Sequence, residues 1–188
     1  MEAPMDRPDP VLRIATLADA SRVDALMKES AAAIFPRFYD ERQSESAIRY
    51  VAEADPMLLA DGTYFVLESD GELVACGGWS RRARPYTGSG EFADEDRSLD
   101  PSTEPAMVRA MFVRDDWTRR GLGRRILAEC EAAAQREGFR QIALMATLPG
   151  VPLYEACGFE TIEEGELALT DGVKVAYVAM TKLLNGSP

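Results

Sequence analysis

Five arginines and two glycines fall between Arg114 and Arg125, in a pattern suited to holding an anion. Arg119-Arg120-Gly121-Leu122-Gly123-Arg124 follows a β-type run, Ala106 to Val113, and a polar turn, Arg114 to Thr118. It opens a stretch in which Leu122, Ile126, Leu127, Cys130 and Ala134 recur near helical spacing. The order is strand, glycine-rich turn, helix. Glycines there let a ligand approach the backbone, and a first helical turn offers unpaired N–H groups at the positive end of the helix dipole. Such a turn binds phosphate. The five arginines against Asp115 and Asp116 leave the segment at +3 in a chain of formal net charge −11. A basic island in an acidic protein fits a small polyanion better than a nucleic-acid surface, which needs charge spread over a whole face. A helix start with a solvated arginine face has the same local composition and stands beside that reading. No Gly-Lys-Ser/Thr follows the glycines, so this is not a P-loop, and a dinucleotide fingerprint would need glycine at Ile126.

The chain contains no histidine. That excludes catalytic triads and dyads built on His and zinc sites that need it, and no Cys-x-x-Cys pair replaces them. Any acid or base must be Tyr, Asp, Glu, Cys, Lys, an N-terminal amine or water. Cys76, Cys130 and Cys157, an odd number inside strand or helix patterns, read as small buried hydrophobes in a reducing compartment, and the expected location is cytoplasmic. The N-terminal MEAPMDRPDP lacks the basic start and apolar middle of a signal peptide, and no apolar run approaches a membrane span.

The elements that must carry the turn follow from periodicity. Val11 to Leu17 reads as a strand and Leu17 to Ile34 as a helix ended by Phe35-Pro36. Ser44 to Ala54 reads as a second helix with Ala47, Ile48 and Val51 inward, bordered by Tyr39 and Tyr50. Thr63 to Ser69 and Glu72 to Ser80 form a hairpin through Asp70-Gly71. Gly77-Gly78 break its second strand, which predicts a bulge or a close approach of another segment. Residues 81–105 form a long acidic loop with Glu91, Asp94, Glu95, Asp96, Asp100 and Glu104, read either as a substrate-facing lid or as a solvated insertion. The helix after the glycine turn runs to about Glu137 and stops at Gly138. Gln141 to Ala146 is the next strand, Pro152 to Cys157 a short helix, and Glu160 to Leu169 with Val173 to Lys182 a final hairpin. The expected organisation is one mixed α/β domain over 11–184, with a frayed tail at 1–10 and a short tail at 185–188.

A second element joins the first: Leu153-Tyr154-Glu155-Ala156-Cys157-Gly158-Phe159, some thirty residues after the glycine turn. A strand ending in Phe-Val, then Arg-Arg-Gly-Leu-Gly-Arg, then Leu-Tyr-Glu-x-x-Gly-Phe resembles the GNAT superfamily of N-acetyltransferases. The element order matches over nearly the whole chain. The resemblance implies a central, mostly antiparallel sheet flanked by helices, with one parallel strand pair splayed apart, here the strands ending at Val113 and Ala146. It implies acetyl-CoA as cosubstrate, no metal, a small-molecule or peptide amine as acceptor, neither nucleic acid nor membrane as partner, and leaves a homodimer open.

Carried onto this sequence, the resemblance seats the pyrophosphate on the backbone of Arg120 to Arg124, with Thr118, Arg119, Arg120, Gly121, Leu122, Gly123 and Arg124 as cofactor-binding residues. Thr118 stands where the family carries Gln or Arg, so the cradle rests mainly on Gly121 and Gly123. The pantetheine arm would pair like an extra strand with Phe112 and Val113, and an amide of that strand would polarise the acetyl carbonyl. Thr147 stands where many members carry Asn, and Gly150 where many carry Ala. Tyr154 matches the position whose hydroxyl serves many relatives as general acid to the departing thiolate.

The chemistry asks for an oxyanion donor, a neutral amine and a proton for sulfur. One preorganised backbone donor is worth ~3 kcal/mol in such a step, whereas deprotonating a lysine-like amine at pH 7 costs roughly 4 to 5 kcal/mol. A carboxylate or a water chain should therefore assist. Glu104, just before the central strand, is the candidate base, with a solvated loop end as its competing role. Trp79 is placed at the border of the acceptor pocket. A non-catalytic acyl-CoA-binding module is the alternative to an enzyme.

Overall fold

The computed structural model describes residues 8–83 and 97–184. Most of the proposed tails, and Glu91, Asp94, Glu95 and Asp96 of the acidic loop, lie outside these residues. The elements run β1 (Val11–Ile14), α1 (Ala20–Ile34), α2 (Glu41–Tyr50), α3 (Pro56–Ala60), β2 (Tyr64–Ser69), β3 (Glu72–Ser80), β4 (Ala106–Val113), α4 (Leu122–Arg136), β5 (Gln141–Thr147), α5 (Val151–Ala156), β6 (Glu160–Ala168) and β7 (Lys174–Leu183). Among the described residues, no helix is long and apolar enough to cross a membrane.

The seven strands form one sheet in the order β1-β2-β3-β4-β5-β7-β6. Every neighbouring pair is antiparallel except β4 and β5. Those two are parallel and meet only at Ala106↔Ile142 and Met107↔Ala143. Beyond that point they diverge, so a gap opens between the strand ends at Val113 and Thr147. This mostly antiparallel, helix-flanked sheet with one splayed parallel pair is the fold the sequence implied.

Two apolar cores cover the sheet. Ile126, Leu127, Cys130 and Ala134 of α4 pack with Val74, Ile142, Leu144 and Met180 on one face. Val23, Met27 and Ala31 of α1 pack with Tyr64, Val66 and Cys76 on the other. Central β3 is buried from Leu73 to Ser80, whereas β5 alternates buried and half-buried residues. The inward stripe expected for α4 is buried at each position.

Two helices depart from the periodicity. The predicted Ser44–Ala54 helix lies at Glu41–Tyr50 because Asp40 accepts from the Gln43 N–H while the Gln43 side chain accepts from the Asp40 N–H, a capping box that starts the helix earlier. The Leu17–Ile34 run divides at Asp19, whose carboxylate takes the Thr16 N–H (2.9 Å) and the Arg13 guanidinium (2.8 Å), leaving a 3-10 turn at Leu17–Asp19. The short α3 was not expected; Asp55 caps it and Pro56 opens it, but five residues are too few for a periodic signal.

The Gly77-Gly78 pair answers both expectations at once. The β3/β4 register slips between Cys76 and Gly78, and a Cβ on Gly78 would stand 2.5 Å from the Thr63 carbonyl oxygen and 2.6 Å from the Tyr64 ring. Backbone must move to admit it, so Gly78→Ala is expected to lower stability by about 2 kcal/mol. Denaturant melts check this, and an unchanged midpoint would contradict the close approach.

Candidate active site

The turn before α4 is built on two left-handed residues, Arg119 (φ 64°) and Gly121 (φ 77°). Gly121 is the N-cap and supplies no capping side chain, so the first N–H groups of α4 are left to whatever lies in front of them. Nothing stands within 4 Å of where a Gly121 side chain would begin. Gly123, one position into the helix, would place a Cβ 2.9 Å from Leu153 Cδ2; its lack of a side chain lets α4 pack closely on α5. In front of this turn lies a groove of about 700 Å³. Its size, its open helix N-terminus and its cations fit a diphosphate-bearing cosubstrate.

The arginines divide by partner. Arg119 and Arg124 line the groove. Arg120 lies over the Trp117 ring at 4.8 Å, Arg114 pairs with Asp116 and Glu72, both at 2.7 Å, and Arg125 reaches Asp9 at 3.2 Å. Thr118 is at the wall, but its hydroxyl donates to the Asp115 carbonyl at 2.8 Å. The Leu122 side chain is buried in the core, so only its backbone faces the turn. Arg37 and Phe38, from the segment that ends α1, also line the groove. Nothing in their spacing marked them in the sequence.

Inward, the groove meets a cavity of about 140 Å³ between α1 and the splayed strands, with Val113, Pro149 and Leu153 common to both. That cavity meets a third, of about 80 Å³, with Met111, Phe112, Thr147 and Tyr154 as common walls. The three lead from the α4 N-terminus through the gap between β4 and β5. Phe112 and Val113 line the inner cavity beside the gap.

The backbone of β4 is oriented toward this passage. The Arg114 N–H donates to the Val74 carbonyl at 3.0 Å, a bond directed at β3. In an antiparallel ladder alternate residues point their amides the other way, which turns Val113 toward the gap. Ser30 of α1 donates to the Val113 carbonyl at 2.7 Å, consistent with that direction. Between Arg109 and Phe112, two residues of β4 oppose Gly77 alone, and Ala110 takes φ 48°, a left-handed conformation that costs a non-glycine residue on the order of 1 kcal/mol. Across the gap, the Tyr39 hydroxyl accepts from the Leu148 N–H (2.8 Å) and donates to the Ala176 carbonyl (2.9 Å). It bridges β5 to β7 one residue beyond their last register pair, Thr147↔Tyr177.

Tyr154 is 8% exposed and walls both inner cavities. Its ring packs edge-on against Phe159 at 5.7 Å, and its hydroxyl makes no hydrogen bond among the described residues. A Cβ on Gly150 would meet that ring at 3.0 Å. Burial first, then the neighbouring Cys130 and Cys157, push the hydroxyl above its ordinary range. It is a buried proton donor facing a cavity.

Glu104 is elsewhere. It precedes the N-terminal end of β4, whereas the gap opens at the C-terminal end. Arg97 grips both its carboxylate oxygens and the Asp100 N–H donates to one of them; these bonds, Arg97 foremost, hold its carboxyl down to about 2. Position and basicity both argue against it as the base. Among the described residues, no Asp or Glu lines either inner cavity, and the charged side chain there is Arg109. Trp79 does not border the passage either: it packs against Phe139 at 5.9 Å, beside a separate cavity between β1–β3 and the C-terminal half of α4.

The site thus joins a splayed parallel pair, a glycine-cradled helix start and a tyrosine at the inner end of one passage. The family model "Acetyltransferase (GNAT) domain" matches residues 60–161, more than half of the sequence. The chain belongs to the GNAT acetyltransferase family. Among curated proteins no match is found. Of the solved structures, the GCN5-related N-acetyltransferase of Rhodopseudomonas palustris superposes with a TM-score of 0.72 at 18% identity, over 97% of this chain and 100% of that one. The PaiA N-acetyltransferase of Thermoplasma acidophilum, solved with coenzyme A, gives 0.65 at 14% identity over 94% and 99%. The ribosomal-protein-alanine N-acetyltransferase of Brucella melitensis gives 0.59 at 19% identity over 93% and 99%.

Proposed function

We propose that this protein moves the acetyl group of acetyl-CoA to the primary amine of a small molecule or peptide, by direct attack in a ternary complex with Tyr154 as general acid. The observation that carries the reading is the passage from the α4 N-terminus to Tyr154 through the gap. The pyrophosphate lies on the amides around Gly121 and Gly123, with Arg119 and Arg124 beside it. The pantetheine arm follows Val113 and Phe112 inward. The amine approaches from the third cavity and its lone pair forms the new C–N bond. The carbonyl carbon becomes tetrahedral, with its oxygen held by an amide of β4. The C–S bond then breaks, sulfur takes the Tyr154 proton, and the amine's surplus proton leaves through water, which returns a proton to the tyrosine.

Calorimetric titration tests the binding half. Acetyl-CoA and CoA should bind, and ATP and NAD should not compete; equal binding of ATP would point to a nucleotide-phosphate enzyme instead. The pH dependence tests the acid. Activity rises with pH as the amine loses its proton, and because the Tyr154 hydroxyl is held above about 10, the donor is lost only above that pH. The expected profile of kcat/KM is a rise to a plateau, and a descending limb between about pH 8 and 9 would contradict the assignment.

A further inference from the structure

Tyr64 crosses a strand to reach the site. It lies on β2, 2% exposed, and its hydroxyl donates to the carbonyl oxygen of Ala110 on β4 at 2.6 Å, although β3 runs between the two strands. The crossing is open because β3 carries glycine there: a Cβ on Gly78 would meet Tyr64 Cδ2 at 2.6 Å, and one on Gly77 would meet Met111 Cγ at 3.2 Å. The Gly-Gly pair is the clearance for this one side chain and for the bulge it touches.

The Ala110 carbonyl shares a peptide plane with the Met111 N–H. The described chain has no cis peptide, and in a trans unit the two groups point in opposite directions. Fixing the carbonyl toward Tyr64 fixes the N–H toward the gap, where Met111 walls both inner cavities. The geometry points to Tyr64 as the positioning residue for the Met111 amide, the donor that meets the acetyl oxygen in the transition state. Burial keeps the tyrosine hydroxyl protonated well above its ordinary range, so the brace does not titrate with the reaction. This role rests on the acetyl-transfer reading and adds to it a residue remote in sequence that makes no contact with substrate.

The test is Tyr64→Phe, which keeps the ring over Gly78 and removes the hydroxyl alone. Isotope-edited infrared spectra of bound acetyl-CoA, labelled at the acetyl carbonyl, report the polarising amide; kcat and KM are measured beside them. The wild type should lower the carbonyl frequency from its solution value. The variant should return it most of the way, with kcat reduced about tenfold or more and KM for acetyl-CoA within twofold. In the ligand-free proteins, the Met111 amide resonance should move more than that of Phe112. A merely structural hydroxyl would lower the melting temperature and leave both the band and kcat of the folded protein unchanged, which overturns the assignment. A wild type that leaves the band at its solution frequency defeats the acetyl-transfer reading itself, and is distinguishable from a variant that shifts it as fully as wild type.

Discussion

In Tyr154→Phe, acetyl transfer slows by roughly 10²-fold while affinity for acetyl-CoA stays at the wild-type level. The two parameters separate because the hydroxyl acts on a charge that exists only once the C–S bond breaks, and the ground-state thioester gives it nothing to neutralise. The fold tolerates the change: the phenyl ring keeps its contacts with Phe159 and with the backbone at Gly150, and the hydroxyl that is lost makes no hydrogen bond among the described residues. An acetyl thioester whose leaving thiol is acidic needs no proton at departure, so with that donor wild type and variant should converge. Steady-state kinetics with both donors measure this. Equal kcat for the two proteins on acetyl-CoA would remove Tyr154 from the chemistry, and a non-catalytic acyl-CoA module would show no turnover to lose.

Gly121→Asp is expected to weaken acetyl-CoA binding by about 10³-fold, since a carboxylate about 4 Å from a phosphate opposes it by roughly 4 kcal/mol at an effective dielectric constant near 20. The new side chain enters open space in front of α4 rather than the core. It carries some left-handed strain at φ 77°, partly offset by a negative charge at the positive end of a helix. The protein should therefore remain folded. Gly121→Asn separates charge from shape, because Asn tolerates this backbone conformation and adds no charge; it should retain most of the affinity that Asp loses. Titration calorimetry on the three proteins decides it, and an Asp variant that binds as wild type would mean that the phosphates lie elsewhere.

The places of both residues in the fold were legible because their signals are local. Gly121 and Gly123 sit where a strand turns into a helix, and Tyr154 sits in a short helix with a fixed offset from its stop glycine. The α4 stripe and the bounds of β3 and β4 were equally readable from spacing. What failed was the step from sequence neighbourhood to space. Glu104 adjoins β4 in sequence, yet eight residues of extended strand put it roughly 25 Å from the cradle, at the wrong end and in the grip of Arg97. Five arginines in one segment look alike on paper; Asp116, Glu72 and Asp9 engage two of them, and only the fold brings Glu72 and Asp9 near. Arg37 and Phe38 reach the groove because α1 ends beside it, which no periodicity encodes. The Ala110 bulge was hidden for another reason: alanine gives no sign of a positive φ. Its one trace was on the neighbouring strand, where Gly77-Gly78 announced a close approach without saying whose.

The most direct test of the account is amine-stimulated release of CoA from acetyl-CoA by the full chain, screened over polyamines, amino acids, aminoglycosides and peptides, with the acetylated product weighed by mass spectrometry. The account predicts that one acceptor class stimulates release and gains one acetyl group per CoA freed. No stimulation by any of these amines, with acetyl-CoA also failing to raise the melting temperature as a bound ligand must, would contradict it.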